Sequence, residues 1–304
     1  MASSQRTGFI LLVIAATGYA FLPIFTKLAY EAGLAPLDFV IWRFMFATPC
    51  IWLILRLTGH TGDAAARTLP RWRLLGVGMI FAITSYCSVQ ALARIDASLY
   101  TVLLYSYPAM VALLLLVLGE PLSRRGWFAL ALTLLGVLLT VRDLGSALQG
   151  GSGEGIAFAI ANGAFYAVYI VISSRLLRGQ RAMATASAFS ITGTLLAFVV
   201  MALVFGLKAP LTPEGWLTLL ATAIVSTAAP IFAFYAGMQR VGAGQAAIIS
   251  TLEPVLVLVL SFVLLDERLV FQQIVGGALI LLAAVLLQRR RLPSLRHMRP
   301  KAMG

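Results

Sequence analysis

The sequence predicts an all-α membrane protein of ten transmembrane helices, arranged as two inverted five-helix repeats. Three observations carry that expectation. Hydrophobic residues make up 61% of the chain and charged residues 11%, with a mean hydropathy of +0.95, against about 45–50% and about 25% in soluble domains. Ten apolar stretches approach or exceed the about 20 residues that a helix needs to cross a bilayer. A pattern of residues in the first half returns in the second after a nearly constant interval.

The stretches run at approximately 8–30, 37–57, 72–93, 98–118, 126–141, 153–175, 185–206, 216–236, 244–264 and 272–288. Strands of a membrane barrel would alternate polar and apolar residues, and a run such as Leu113–Leu118 does not. The first stretch follows Arg6 as a signal peptide would, but it is longer than the roughly 7–15 residues of a signal core. It also aligns with 155–175 deep within the chain, so it is expected to be kept as the first helix. Trp72, Trp127 and Trp216 open later stretches, where indoles anchor helices at the membrane interface. Gly150–Gly155 has neither a preceding strand nor the lysine of a phosphate-binding loop. It reads as the joint between a first repeat at 1–147 and a second at 148–288, with a basic tail at 289–304.

The net charge of +12 invites a nucleic-acid partner, and the placement of the charges argues against one. Arg56, Arg67, Arg71, Arg73, Arg124, Arg125, Arg175, Arg178 and the tail from Arg289 share one side when both termini are cytoplasmic. Basic loops mark the cytoplasmic side, so that orientation is predicted. The tail then meets anionic headgroups, at about 1 kcal/mol per basic residue. Cys50 and Cys87 lie in apolar stretches, and His60 and His297 in loops or tail, with no metal-ligand spacing. No metal or other cofactor is expected. The expected partners are membrane lipids and a small-molecule substrate, with a monomer sufficient for the bundle.

The repeat is specific. Ala91–Arg94, Tyr107–Pro108 and Gly119–Leu122 reappear as Gly237–Arg240, Glu253–Pro254 and Asp266–Leu269. Arg94 and Arg240 are 146 residues apart, as are Pro108 and Pro254; Glu120 and Glu267, Gly8 and Gly155, and Tyr19 and Tyr166 are 147 apart. Each half holds an odd number of helices, so the second copy enters the membrane from the opposite side. Inverted repeats with interrupted helices at matching places are a sign of transporters, with the binding site near the bilayer midplane. A scaffold has no need of this arrangement.

These residues resemble the drug/metabolite transporter superfamily, specifically its ten-helix EamA-type exporters. The likeness lies in Gly18–Phe21 with Lys27, Trp42–Phe44, Pro108 with Gly119–Glu120, Leu252–Val255, Glu267–Leu269 and Gly276–Gly277. Tyr19 stands where a tryptophan is common in the family. The layout is also similar to aromatic amino-acid exporters of the YddG type. The resemblance implies a carrier in the bacterial inner membrane that exports amino acids, metabolites or small toxic compounds.

Glu253 is the sharpest candidate for a substrate or proton site. It falls at the middle of its stretch, where a carboxylate costs about 2.5 kcal/mol or more and usually faces a cavity. Pro254 removes a backbone donor and frees the carbonyl of Ser250, four residues earlier. Pro108 does the same for Leu104, next to Tyr107, the counterpart of Glu253. Tyr100 is two turns before Tyr107; Tyr86 and Gln90 form an i, i+4 pair on the third stretch; Asn162 and Tyr166 form another on the sixth. Together they outline an aromatic cavity with few charges, although any one tyrosine alone is as well explained by packing with its hydroxyl satisfied. A structural, protonated or arginine-paired role is the alternative for Glu253. Arg43, inside the second stretch, is suited to a substrate carboxylate, to pairing with Glu253, or to snorkelling towards headgroups.

The sequence therefore predicts a secondary transporter that exports small metabolites, amino acids foremost, by alternating access. An exporter of cationic drugs or polyamines is the alternative, because one carboxylate among aromatic rings also suits a cation. A channel or a non-transporting scaffold would show no saturable counterflow. An enzyme is not expected: the chain has no nucleophile set, metal pair, cofactor motif or ATP-binding motif.

Overall fold

The computed structural model describes residues 2–57, 67–95, 97–140, 152–180, 182–210, 212–264 and 270–288. The described residues are helical, with short turns and no strand. The first half holds α1 (Ala2–Ala20), α2 (Leu22–Glu31), α3 (Pro36–Leu57), α4 (Arg71–Leu92), α5 (Ala97–Leu104), α6 (Tyr107–Val117) and α7 (Arg124–Thr140). The second holds α8 (Gly153–Leu176), α9 (Met183–Phe205), α10 (Pro213–Ala223), a π-helical turn (Ile224–Ala228), α11 (Ala229–Val241), α12 (Ala243–Ser250), α13 (Leu252–Leu264) and α14 (Phe271–Gln288). Among the described residues, six segments are long and apolar enough to cross a membrane: Ser4–Glu31, Pro36–Leu57, Arg71–Leu92, Gly153–Leu176, Thr185–Phe205 and Pro213–Val241. Val102–Val117, Ala243–Val257 and Phe271–Leu286 are shorter apolar helices.

Both expected proline breaks are present. α5 ends at Leu104 and α6 begins at Tyr107; α12 ends at Ser250 and α13 begins at Leu252. Pro108 and Pro254 thus occupy the first turn of a new helix, where a missing N–H costs nothing. A side-chain hydroxyl braces each turn: Ser106 Oγ donates to the Leu103 carbonyl at 2.6 Å, and Thr251 Oγ1 to the Ile248 carbonyl at 2.5 Å.

Two helices depart from the expected continuous rods. The first breaks at Phe21, because Pro23 in the opening turn of α2 cannot donate to the carbonyl of Tyr19. The segment expected at 216–236 runs from Pro213 to Val241 and contains the π-turn.

Packing reproduces the internal repeat. α1 lies along α11, and its counterpart α8 lies along α4. Equivalent helices of the two halves also meet each other, and they run antiparallel. Thr140 at the end of α7 accepts from Gln273 Nε2 at the start of α14, at 3.2 Å. Trp52 late in α3 donates to Thr192 Oγ1 early in α9 at 3.0 Å, while Phe44 stacks on Phe198 at 5.4 Å. The α7–α14 contact is as close as backbones allow: a Cβ on Gly136 would lie 2.7 Å from the Gly276 carbonyl oxygen, and one on Gly276 would lie 2.6 Å from that of Gly136. Small residues of this kind let helices associate where lipid removes the hydrophobic drive.

Candidate functional site: a cavity between the halves

A cavity of about 150 Å³ opens between the two halves. Tyr19 comes from α1, Leu22, Pro23 and Thr26 from α2, Phe39 and Arg43 from α3, and Tyr100 and Leu104 from α5. The second half contributes Asn162 and Tyr166 from α8 and Glu253 from α13. Both helix breaks therefore deliver side chains to one space, Tyr105 and Tyr107 from the first and Glu253 from the second.

One charge of each sign lines this space. Arg43 is only 6% exposed, and its Nε donates to Thr227 Oγ1 at 2.7 Å. It neither reaches towards headgroups nor pairs with Glu253; the ion pairs among the described residues are Arg94–Glu154, Arg175–Glu120 and Arg178–Glu120. Glu253 shares the cavity wall with Tyr105 and Tyr107. Tyr100 is held from two sides: Asn162 Nδ2 donates to its oxygen at 2.8 Å, and the Ser88 and Tyr100 hydroxyls share a hydrogen bond at 2.7 Å. Tyr107 spans the halves by donating to the Ala247 carbonyl on α12 at 3.0 Å.

A stack of rings closes the cavity at its inner end. Tyr166 meets Tyr107 edge-on at 4.9 Å and stacks on Tyr169 at 5.8 Å; Tyr169 in turn meets Phe81 at 4.8 Å and Tyr235 at 6.2 Å. Beyond this plug lies a second cavity, of about 380 Å³, reaching Val171, Met238 and Ile248. At its rim Glu120 bridges Arg175 at 2.9 Å and Arg178 at 2.6 Å, and Arg175 also donates to the Leu118 carbonyl. The hydrogen bond from Arg178, with Arg175 beside it, holds the Glu120 carboxyl below its ordinary range. Glu267, the repeat counterpart of Glu120, lies outside the described residues.

Of the residues singled out from sequence, Arg43, Tyr100, Tyr107, Asn162, Tyr166 and Glu253 converge on the first cavity. Ser250 is buried one turn before Glu253, behind the wall. Tyr86 and Gln90 do not belong to it. Tyr86 packs edge-on against Phe158 of α8, and Gln90 accepts from Arg94, which pairs with Glu154 at 3.2 Å. The cavity face of α4 is instead Phe81, Thr84, Ser85, Ser88, Val89 and Leu92, a stripe at helical spacing rotated away from residues 86 and 90. Tyr105, Tyr19 and Ser88 escaped the sequence reading as site residues. The Thr84, Ser85, Ser88 hydroxyl stripe is the signal that marks the correct face.

In class, then, this is a membrane-type helical bundle with an internal repeat and a two-charge cavity between the copies. The chain belongs to the EamA-like transporter family, whose model matches it twice, at residues 6–142 and 153–289. Relatives include the uncharacterized transporter YcbK of Bacillus subtilis, 27% identical over 282 residues that cover 88% of each chain. An uncharacterized transporter of Archaeoglobus fulgidus is 27% identical over 221 residues, covering 73% of this chain and 77% of that one. A solved crystal structure shares the fold, with a TM-score of 0.76, 17% identity, and coverage of 92% of this chain and 96% of the other.

Proposed function

We propose that the protein is a secondary transporter exporting amino acids, including aromatic ones, across a bacterial inner membrane. The observation that carries this reading is the pair of opposite, mutually unpaired charges on the wall of an aromatic cavity. Arg43 would take a carboxylate, Glu253 an ammonium group, and Tyr19, Tyr105, Tyr107 and Tyr166 the side chain between them. A guanidinium suits a planar carboxylate because its donors form a matching fork.

On this reading the chain crosses the membrane ten times, with repeats at 1–147 and 148–288 and a cytoplasmic tail at 289–304. The bias of basic residues to one side supports cytoplasmic termini. The first cavity then opens outward, and the Glu120–Arg175–Arg178 clasp lies at the cytoplasmic face. Inverted halves exchange conformations by rocking about the central site, which closes one cavity while the other opens. A monomer contains the whole pathway.

Glu253 among tyrosines also suits a lipophilic cation or polyamine, and this second reading needs no role for Arg43. Counterflow in proteoliposomes, with amino acids, nucleobases and lipophilic cations tested with and without a pH gradient, separates the two. Saturable exchange of zwitterionic amino acids supports the first reading; exchange of cations alone replaces it with the second. No saturable exchange of any of them points to a channel or scaffold.

A further inference from the structure

The π-turn between α10 and α11 has a chemical use that its sequence, Ile224–Ala228, does not advertise. A π-turn bonds i to i+5 and leaves the ladder out of step. Here the Thr227 hydroxyl turns back onto its own helix: Oγ1 donates to the Thr222 carbonyl, five residues earlier, at 2.9 Å. A threonine hydroxyl has one proton, so this bond leaves Oγ1 only accepting towards other groups. Arg43 Nε–H meets it at 2.7 Å.

The neighbouring acceptor is freed by another route. Pro230 lies four residues after Ser226 and has no N–H to give its carbonyl. That carbonyl faces Arg43 Nη2 at 3.4 Å. One backbone irregularity thus supplies two acceptors to the Nε–Nη2 edge of a single guanidinium. Gly18 brings α1 against the same turn, since a Cβ there would lie 2.3 Å from Pro230 Cγ and 2.6 Å from the Val225 carbonyl oxygen. Thr227 and Ser226 are fully buried, so the cradle is backed by packed protein.

We propose that Thr227 is a positioning residue, holding the inner edge of Arg43 so that its outer Nη1–Nη2 fork is presented to the cavity for a substrate carboxylate. Resting on the amino-acid reading above, this assigns carboxylate selectivity to a side chain that does not line the cavity. Without the Thr227 acceptor, Nε–H is left buried and unpaired, and the guanidinium turns to satisfy it at the expense of the outer fork.

The test is phenylalanine counterflow by the full chain in proteoliposomes, inhibited by 3-phenylpropanoate, which keeps only the carboxylate, or by phenethylamine, which keeps only the amine. Thr227→Val is expected to weaken inhibition by 3-phenylpropanoate about tenfold, the scale of one hydrogen bond to a charged group. Inhibition by phenethylamine should hold within about twofold, and KM for phenylalanine should rise more than Vmax falls. Thr227→Ser, which keeps the hydroxyl, should restore the wild-type pattern and shows that the site tolerates substitution. Equal shifts for both inhibitors, a shift for neither, or failure of Thr227→Ser to restore overturns the proposal while leaving amino-acid export standing. Absence of phenylalanine counterflow in the wild type overturns both.

Discussion

Tyr19 and Tyr166, 147 residues apart in sequence, line the same cavity from opposite halves of the protein. They are repeat counterparts, yet other counterpart pairs are split. Ser85 lines the cavity, whereas Ile231, 146 residues later, is 1% exposed; Val89 lines it, whereas Tyr235 is fully buried. The repeat-related copy of this cavity wall exists in the molecule as packed core.

Under the proposed alternating access, that core wall opens when the visible one closes. With Cys50 and Cys87 replaced by alanine, Ser85→Cys should react with an impermeant maleimide from outside in the resting protein. Ile231→Cys should be protected at rest and react from the cytoplasmic side when substrate drives the cycle. Protection of Ile231→Cys that substrate leaves unchanged would count against the exchange of the two walls.

Glu253→Gln should abolish transport or uncouple it from a pH gradient while expression and membrane insertion stay at wild-type levels. The amide keeps the shape and loses the charge, and most of an ammonium's attraction to the site goes with it. Full, proton-coupled activity in this variant would sink the assigned role.

The clasp at the second cavity has a defined pH dependence. Arg178 and Arg175 depress the Glu120 carboxyl below its ordinary value of 4.5. Its contribution is therefore present above that value and lost as pH falls through the depressed one. Glu120→Gln should lower the thermal midpoint slightly at pH 7, since exposed ion pairs contribute little, and the difference should shrink towards pH 3. A gap of the same size at both pH values would show that the charge is not responsible.

Gly136→Ala should destabilise by about 1–3 kcal/mol, the usual cost of overpacking, because its Cβ would press on the Gly276 carbonyl and Ile280. Gly76→Ala is the control: beyond its chain neighbours and the helix's own backbone no atom lies within 4 Å of its Cβ position, and alanine favours the helix by about 1 kcal/mol. Thermal unfolding in detergent should therefore move in opposite directions for the two variants.

The breaks at Pro108 and Pro254, and the arrival of Tyr107 and Glu253 at one site, were legible in sequence because proline acts locally and the repeat cross-checks it. Helix rotation was not. In α4 the Tyr86–Gln90 pair and the Thr84, Ser85, Ser88 stripe offer two competing polar faces, and spacing alone does not single out the second, which lines the cavity. The π-turn left no compositional trace, since Ile224–Ala228 reads as ordinary helix until the Thr227–Thr222 bond is seen. Tyr105 was missed because it falls inside the break, where helical spacing from Tyr100 no longer applies.

The antiparallel contact of α7 with α14 has a consequence for ancestry. Two equivalent helices touching through facing glycines make a self-complementary surface, the kind that pairs identical subunits about a twofold axis. A half-length polypeptide carrying this helix needs no second gene to find a partner: a copy of itself inserted upside down would do. The two halves nevertheless differ at the site, where Tyr107 stands opposite Glu253 in the repeat, an asymmetry that a dimer of identical halves cannot have.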